Sequence, residues 1–275
     1  MHRAFTRWAS RMVAFSLFCL GASAFAQERP SLTGMYSDPQ GLEDFFCMFW
    51  CSDPGLEHLN ALLDDPANDE RAVMELYTEA AIYQRDEYVQ ARLTPEGAAT
   101  LGRDPADDRG FLYCEPWGFA WEIFAPHQLQ IEQRADRVEM LYGEWLVRRT
   151  VHMDGRTAPA DLTLSPMGYS VGHYEDDVLV IETTGISGNV APWGGGFFSI
   201  QTFDGQHSDD LYAVERYTRS SNGQRLMLDV TFDDPWALIE PVTLRKVWHW
   251  APDQEIGPYE NCERPTEFSR RVTQP

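Results

Sequence analysis

Apolar and polar side chains begin to alternate after Cys114-Glu115-Pro116-Trp117-Gly118 and keep that rhythm almost to the end of the chain. A two-residue period places successive side chains on opposite faces of a strand. It predicts strands over Arg137 to Tyr142, Trp145 to Met153, Tyr169 to Tyr174, Val178 to Thr184, Leu211 to Arg219, Arg225 to Phe232 and Val242 to Trp250. Gly143-Glu144, Asp154-Gly155, Glu175-Asp176-Asp177, Ser221-Asn222-Gly223 and Asp233-Asp234-Pro235 separate them as turn signals. Joints of hairpin size, with no helix between strands, imply an antiparallel meander. About eight such strands protect their edges by closing into a barrel.

The preceding region, from Gly41 to about Gly102, has helical spacing instead. Ala72, Val73, Leu76, Tyr77, Ala80 and Tyr83 form one stripe of a helix over Asp69 to Tyr83. Thr94-Pro95-Glu96 reads as a cap, a first-turn proline and a first-turn acid, so a short helix starts there. The aromatic group Phe45, Phe46, Phe49 and Trp50 reads as core filling, with a ligand lid as the alternative.

The start of the chain bears on where the barrel works. Arg3, Arg7 and Arg11 precede an apolar run from Met12 to Ala22 and the small-x-small pattern Ala24-Phe25-Ala26. That is the form of a secretory leader, and the run is too short to span a membrane. The expected organisation is a signal peptide over 1–26, a helical segment over 27–110 and the barrel over 111–275. The expected location is periplasmic or secreted, with no membrane span.

Charge narrows the partners. The chain carries 43 acidic against 22 basic residues, a net charge of −21, and the leader holds three of the arginines. Lys246 is its single lysine. Such a surface repels nucleic acid and anionic membrane and keeps an exported protein in solution. Cys47, Cys51, Cys114 and Cys262 follow the leader, an even number that an oxidising compartment joins in pairs. The favoured pairs are Cys47–Cys51, which requires an irregular turn because helical spacing holds the two Cβ atoms too far apart, and Cys114–Cys262. A thiolate site with His58 is the alternative, although the spacing matches no zinc pattern. The sequence calls for no metal and no cofactor.

Several motifs together resemble a widespread family of uncharacterised secreted bacterial proteins. They are Met167 to Glu175 with Asp177, Thr183 and Gly185, then His207-Ser208-Asp209, Glu215-Arg216-Tyr217, Asp233-Asp234-Pro235 and Cys262-Glu263. The resemblance covers the C-terminal two thirds and extends to Val147-Arg148-Arg149 with Asp154-Gly155-Arg156. It implies a lipocalin-like barrel rather than an activity. The chain departs from it at Tyr169, where the family commonly has histidine, and at Tyr174, where it commonly has tryptophan. The resulting expectation is a mainly β protein, an antiparallel lipocalin-like barrel of about eight strands with an N-terminal helical segment.

Strand facing gives the candidate site. Arg149 shares a side with Trp145, Val147, Val151 and Met153, and Glu215 shares one with Leu211, Ala213 and Tyr217. Two opposite charges are thus expected to point inward and pair, either as the polar end of a binding pocket or as an internal plug of the barrel. His207 and Asp209 stand at the entrance of the Glu215 strand, as an acid–base group and its orienting partner or as a simple loop. The long insertion from Ile186 to Gly205, with Trp193 at its glycine-rich tip, reads as a lid or as a poorly signalled strand pair.

Two functions follow from these residues. The first is binding of a small apolar or aromatic molecule, with Arg149, Tyr217, Trp193 and Tyr169 as contacts. The second is cofactor-independent acid–base catalysis as a lyase, isomerase or hydrolase, with His207, Asp209 and Glu215 as the working groups. The spelling Gly-x-Ser-x-Gly at Gly168 to Gly172 continues as a strand and hairpin, so it does not make a nucleophile elbow.

Overall fold

The structure is a computed structural model that describes residues 31–39, 41–42, 44–102, 116–188 and 205–257. The leader, Cys114, Cys262 and Trp193 lie outside the described residues.

Nine strands close into one barrel: β1 (Gly34–Ser37), β2 (Leu129–Gln133), β3 (Arg137–Tyr142), β4 (Arg148–His152), β5 (Tyr169–Glu175), β6 (Val178–Thr184), β7 (Tyr212–Arg219), β8 (Arg225–Asp233) and β9 (Val242–Trp250). The expected antiparallel order of about eight is therefore corrected in two respects. There are nine strands among the described residues, and β4 pairs with β5 in parallel, with Val151 opposite Ser170 and His152 opposite Val171. The segment joining β4 to β5 is long enough to cross the barrel end, so the chain re-enters in its former direction rather than doubling back. β1 closes the ring against β9, with Tyr36 opposite Trp250. The barrel thus takes its first strand from the segment expected to be helical.

Gly34 is required at that seam. It has a φ of +152°, and a Cβ there would stand 1.9 Å from the Trp250 ring. β4 begins later than expected because Trp145 and Leu146 adopt φ values of 52° and 53°, a turn that closes when the Val147 amide donates to the Glu144 carbonyl. Gly168, with φ +66°, sits against the Thr184 carbonyl and the Ile186 side chain and lets the chain turn into β5.

The helices lie between β1 and β2 in sequence. α1 (Asp53–Asp64) is capped by Ser52, whose Oγ accepts from the Gly55 amide, with Pro54 in the first turn. α2 (Val73–Tyr83) buries Leu76, Ala80 and Ala81. It starts later than the predicted stripe, and Val73 is 38 % exposed. Buried Gln84 ties the hairpin together, accepting from the Ser52 amide and donating to the Trp50 carbonyl. α3 (Pro95–Ala98) begins at the predicted cap, where Thr94 Oγ1 accepts from the Gly97 amide. Phe46, Cys47, Leu59, Leu76 and Ala80 pack with Val247, so the helix pair covers the outside of β9.

Cys47 and Cys51 are disulfide-bonded. Instead of a helix from Gly41, there is a single tight turn at Phe45–Cys47, and Cys51 then bonds through its backbone to Arg245 of β9. This irregular path is what brings the two Cβ atoms close enough.

The alternating rhythm expected after Gly118 starts only at β2. Between them, Phe119–Glu122 forms a short helix, α4, and the chain continues through Ile123 and Phe124; all of these residues except the half-buried Trp121 are fully or almost fully buried. Phe119 and Phe124 both meet Phe232 edge to face. They join Leu129, Ile131, Met140, Leu228 and Val230 in one core, so the barrel interior is filled rather than hollow around its middle. Among the described residues no helix is long and apolar enough to cross a membrane.

Candidate functional site

Arg149 and Glu215 meet inside the barrel. Both are buried, at 4 % and 0 % exposure. β4 and β7 deliver them because each lies on the inward face of its strand, between Val151 or Ala213 and other buried positions.

The five N–H groups of the guanidinium are matched by five acceptors. Nε donates to Ser170 Oγ at 2.9 Å. Nη1 donates to Tyr142 Oη at 3.3 Å and to Glu215 Oε1 at 2.9 Å. Nη2 donates to Thr183 Oγ1 at 2.7 Å and to Glu215 Oε2. Tyr217 donates to the Glu215 carboxylate at 2.9 Å, and the Phe119 ring lies 4.8 Å beneath the guanidinium carbon.

Electrostatics follow from that closure. Burial alone pulls the Arg149 pKa down, yet the adjoining Glu215 charge outweighs it and holds the group above its ordinary value. Burial, reinforced by Glu215, pushes the Tyr217 phenol well up, and burial likewise raises Tyr142. Both tyrosines therefore stay neutral donors. The network joins β3 through β7, and the plug helix α4 seals it from the other side.

The other sequence-derived residues are placed elsewhere. His207 is buried, and its Nδ1 lies 3.0 Å from the Ser208 carbonyl; burial lowers its pKa, so it is neutral at pH 7. Asp209 accepts from the Gly188 amide at 2.7 Å rather than from the histidine. The carboxylate that organises this loop is Asp234, which accepts from the amide and hydroxyl of Ser208 and from the Trp236 amide. Tyr169 lies on the face of β5 opposite Ser170 and packs its ring on His152, 4.9 Å away.

Two features were not anticipated. One is a cleft of about 390 Å³ at the end of the barrel formed by the β2–β3 turn, lined by Gln133, Val138, Met153, Gly172, His173 and Tyr174. Its floor is continuous with the buried network, since Gly172 lies two residues beyond Ser170 on the same face of β5. A Cβ at Gly172 would meet Met153 Sδ and Val151 Cγ1.

The other is a second ionisable cluster at the opposite end of the β2–β3 hairpin. Glu122 of α4 is 1 % exposed, and neither carboxyl oxygen has a hydrogen-bond partner among the described residues. It lines a crevice too narrow for a free water molecule, together with Ala125, His127, Tyr142, Glu144 and Trp248. Burial, then the charge of Glu144, pushes its pKa up to about 9. Nearby, burial lowers Lys246 to about 8, against the opposing pull of Asp38. His127 Nε2 contacts the Glu144 carboxylate. The sequence signal for Glu122 was its position as the lone charge in the apolar run Gly118 to Ala125. Among the described residues no group of three or more His, Cys, Asp or Glu side chains gathers as a metal site.

The fold and these clusters define a closed β-barrel with a plugged lumen and an open mouth. No protein-family model and no curated protein sequence matches the chain. The resemblance to secreted bacterial proteins therefore rests on the quoted motifs alone.

Proposed function

We propose that this is an exported barrel that binds a small, largely apolar molecule at the mouth formed by the β2–β3 turn and β5. The cleft of about 390 Å³ carries this reading. Its volume lies within the range of small-molecule sites, and it combines an apolar floor with a few polar groups at the rim. Val138, Met153 and Gly172 supply the floor, while Gln133, His173 and Tyr174 supply the polar edge. Gln133 is held in place by accepting from the Leu32 and Thr33 amides, and it donates to the Tyr174 hydroxyl.

In this reading the Arg149–Glu215 network supports the site rather than touching the ligand. It fixes β4, β5, β6 and β7 one pleat behind the floor, so the mouth keeps its shape without relying on loop order. Native mass spectrometry of the protein purified from its own host identifies a retained molecule. Fluorescence titration with an apolar dye then compares the wild type with Met153→Trp, which fills the cleft. The reading expects the dye to be displaced by the identified molecule and the variant to lose binding at least tenfold. Undiminished binding by a folded Met153→Trp protein would overturn it.

A further inference from the structure

The polar groups that border the cleft at the β2–β3 turn are donors. Gln133 Oε1 already accepts from Ser31 Oγ and from the Leu32 and Thr33 amides, so its side-chain amide has one orientation, with the NH2 group toward Tyr174. The Tyr174 hydroxyl accepts there and turns its own O–H away from Gln133. Arg134, next in the chain, is the one fixed cation of the lining among the described residues. His173 is engaged with Glu175 at 3.3 Å, which leaves the choice of ligand head to the other three.

Acids are kept out of the lining. None is present among the described residues, on a chain with 43 acidic and 22 basic side chains. Those that flank the cleft in sequence are each paired with an arginine: Glu132 with Arg134, Asp136 with Arg137, Asp154 with Arg156 and Glu175 with Arg216. The first of these pairs is weakly held. Arg134 meets Glu132 through one nitrogen at 2.8 Å, with both side chains about half exposed, and ion pairs of that kind contribute little. A ligand anion that takes two guanidinium N–H groups at once displaces Glu132 at small cost.

On the reading that this cleft is a binding site, we propose that its ligand is an apolar monocarboxylate. The tail lies along Val138, Met153 and Gly172. The carboxylate ends at the lip, where Arg134 offers a charged fork and Gln133 and Tyr174 offer neutral N–H and O–H donors. One fixed cation matches a single negative charge. An amine head finds no acid in the lining to receive it, and a hydroxyl head leaves the guanidinium with the partner it already has.

The test uses the mature, folded protein and the displacement of N-phenyl-1-naphthylamine, an uncharged dye, by octanoate, 1-octanol and octylamine at neutral pH. The three ligands share one tail and differ in the head. Octanol enters apolar surroundings more readily than octanoate, which must shed water from a charge, so a preference for octanoate has to come from the partners of the head. The expected result is displacement by octanoate at a concentration at least about tenfold below that of octanol, with octylamine the weakest. Arg134→Gln reduces the preference of octanoate over octanol at least about fivefold. Glu132→Gln, which releases Arg134 from its pair, increases that preference. A merely structural role for either residue would shift all three ligands together. Preference for octanol or octylamine in the wild type, or an unaltered preference in either variant, would overturn the proposal while leaving the cleft as a binding site. Displacement by none of the three would overturn this proposal and the binding reading together.

Discussion

Arg149 donates to both carboxylate oxygens of Glu215 across the barrel interior, although the two residues lie 66 positions apart. A bidentate pair of this kind fixes both separation and angle between the strands that carry it. Removing one partner leaves the other charged and dry. Glu215→Ala is therefore expected to destabilise the fold by about 3–5 kcal/mol, and Arg149→Met with Glu215→Leu to recover most of that loss. Urea unfolding of the three proteins measures both numbers. A double variant as unstable as the single would show that the pair itself, rather than the stranded charge, holds the barrel.

Glu122 sets a pH dependence of definite sign. Its folded pKa is about 9 against an ordinary 4.5. Below pH 4.5 both folded and unfolded chains hold the proton, and the group has no effect. As pH rises from there toward 9, the unfolded chain releases the proton and the folded chain retains it, so stability falls. The loss at pH 7 is roughly 3 kcal/mol. Lys246 acts in the opposite direction between about 8 and 10.5, so the Glu122 slope is read most cleanly between pH 5 and 8. Glu122→Gln should flatten stability across that interval and raise the melting temperature at pH 7, as thermal denaturation at a series of pH values would show.

The Cys47–Cys51 bond closes a short loop. Chain entropy assigns such a loop about 2 kcal/mol. A Cys47→Ser, Cys51→Ser protein should melt roughly 4–8 °C lower, and scanning calorimetry with and without reductant tests it. The effect should centre on the helix pair, because Cys51 exchanges two backbone hydrogen bonds with Arg245 of β9.

Gly34→Ala tests the seam. Its added carbon would overlap the Trp250 ring, which must then move. A cost of about 1–3 kcal/mol is expected, together with a change in tryptophan fluorescence. A variant with unaltered stability and emission would mean that Trp250 does not lie over β1 in solution.

The strands with long alternating runs were legible in the sequence. β3, β5, β6, β7, β8 and β9 fall within a residue or two of the predicted ranges, and the inward facing of Arg149 and Glu215 follows from the same alternation. Other elements were hidden for physical reasons. β1 has four residues, too few to display a period, and it stands before the helices. β2 alternates well but adjoins the apolar run that forms α4. The parallel β4–β5 ladder depends on the path of a loop, and no local pattern encodes it.

The site was legible in part. Facing places two charges indoors, but it says nothing of what surrounds them. Tyr142, Ser170 and Thr183 complete the guanidinium shell from three other strands, and each is an ordinary strand residue until the barrel closes. The cleft and the Glu122 crevice are likewise products of closure. Each gathers side chains from segments far apart in the chain.

The ring is shut where Tyr36 and Ser37 meet Trp250 and His249. During translation the earliest strand therefore waits for the latest, and no partial product can satisfy the outer edge of β1 with its native neighbour. A chain that has not yet reached β9 keeps that edge of β1 bare, so the ring can lock only once His249 and Trp250 have been added.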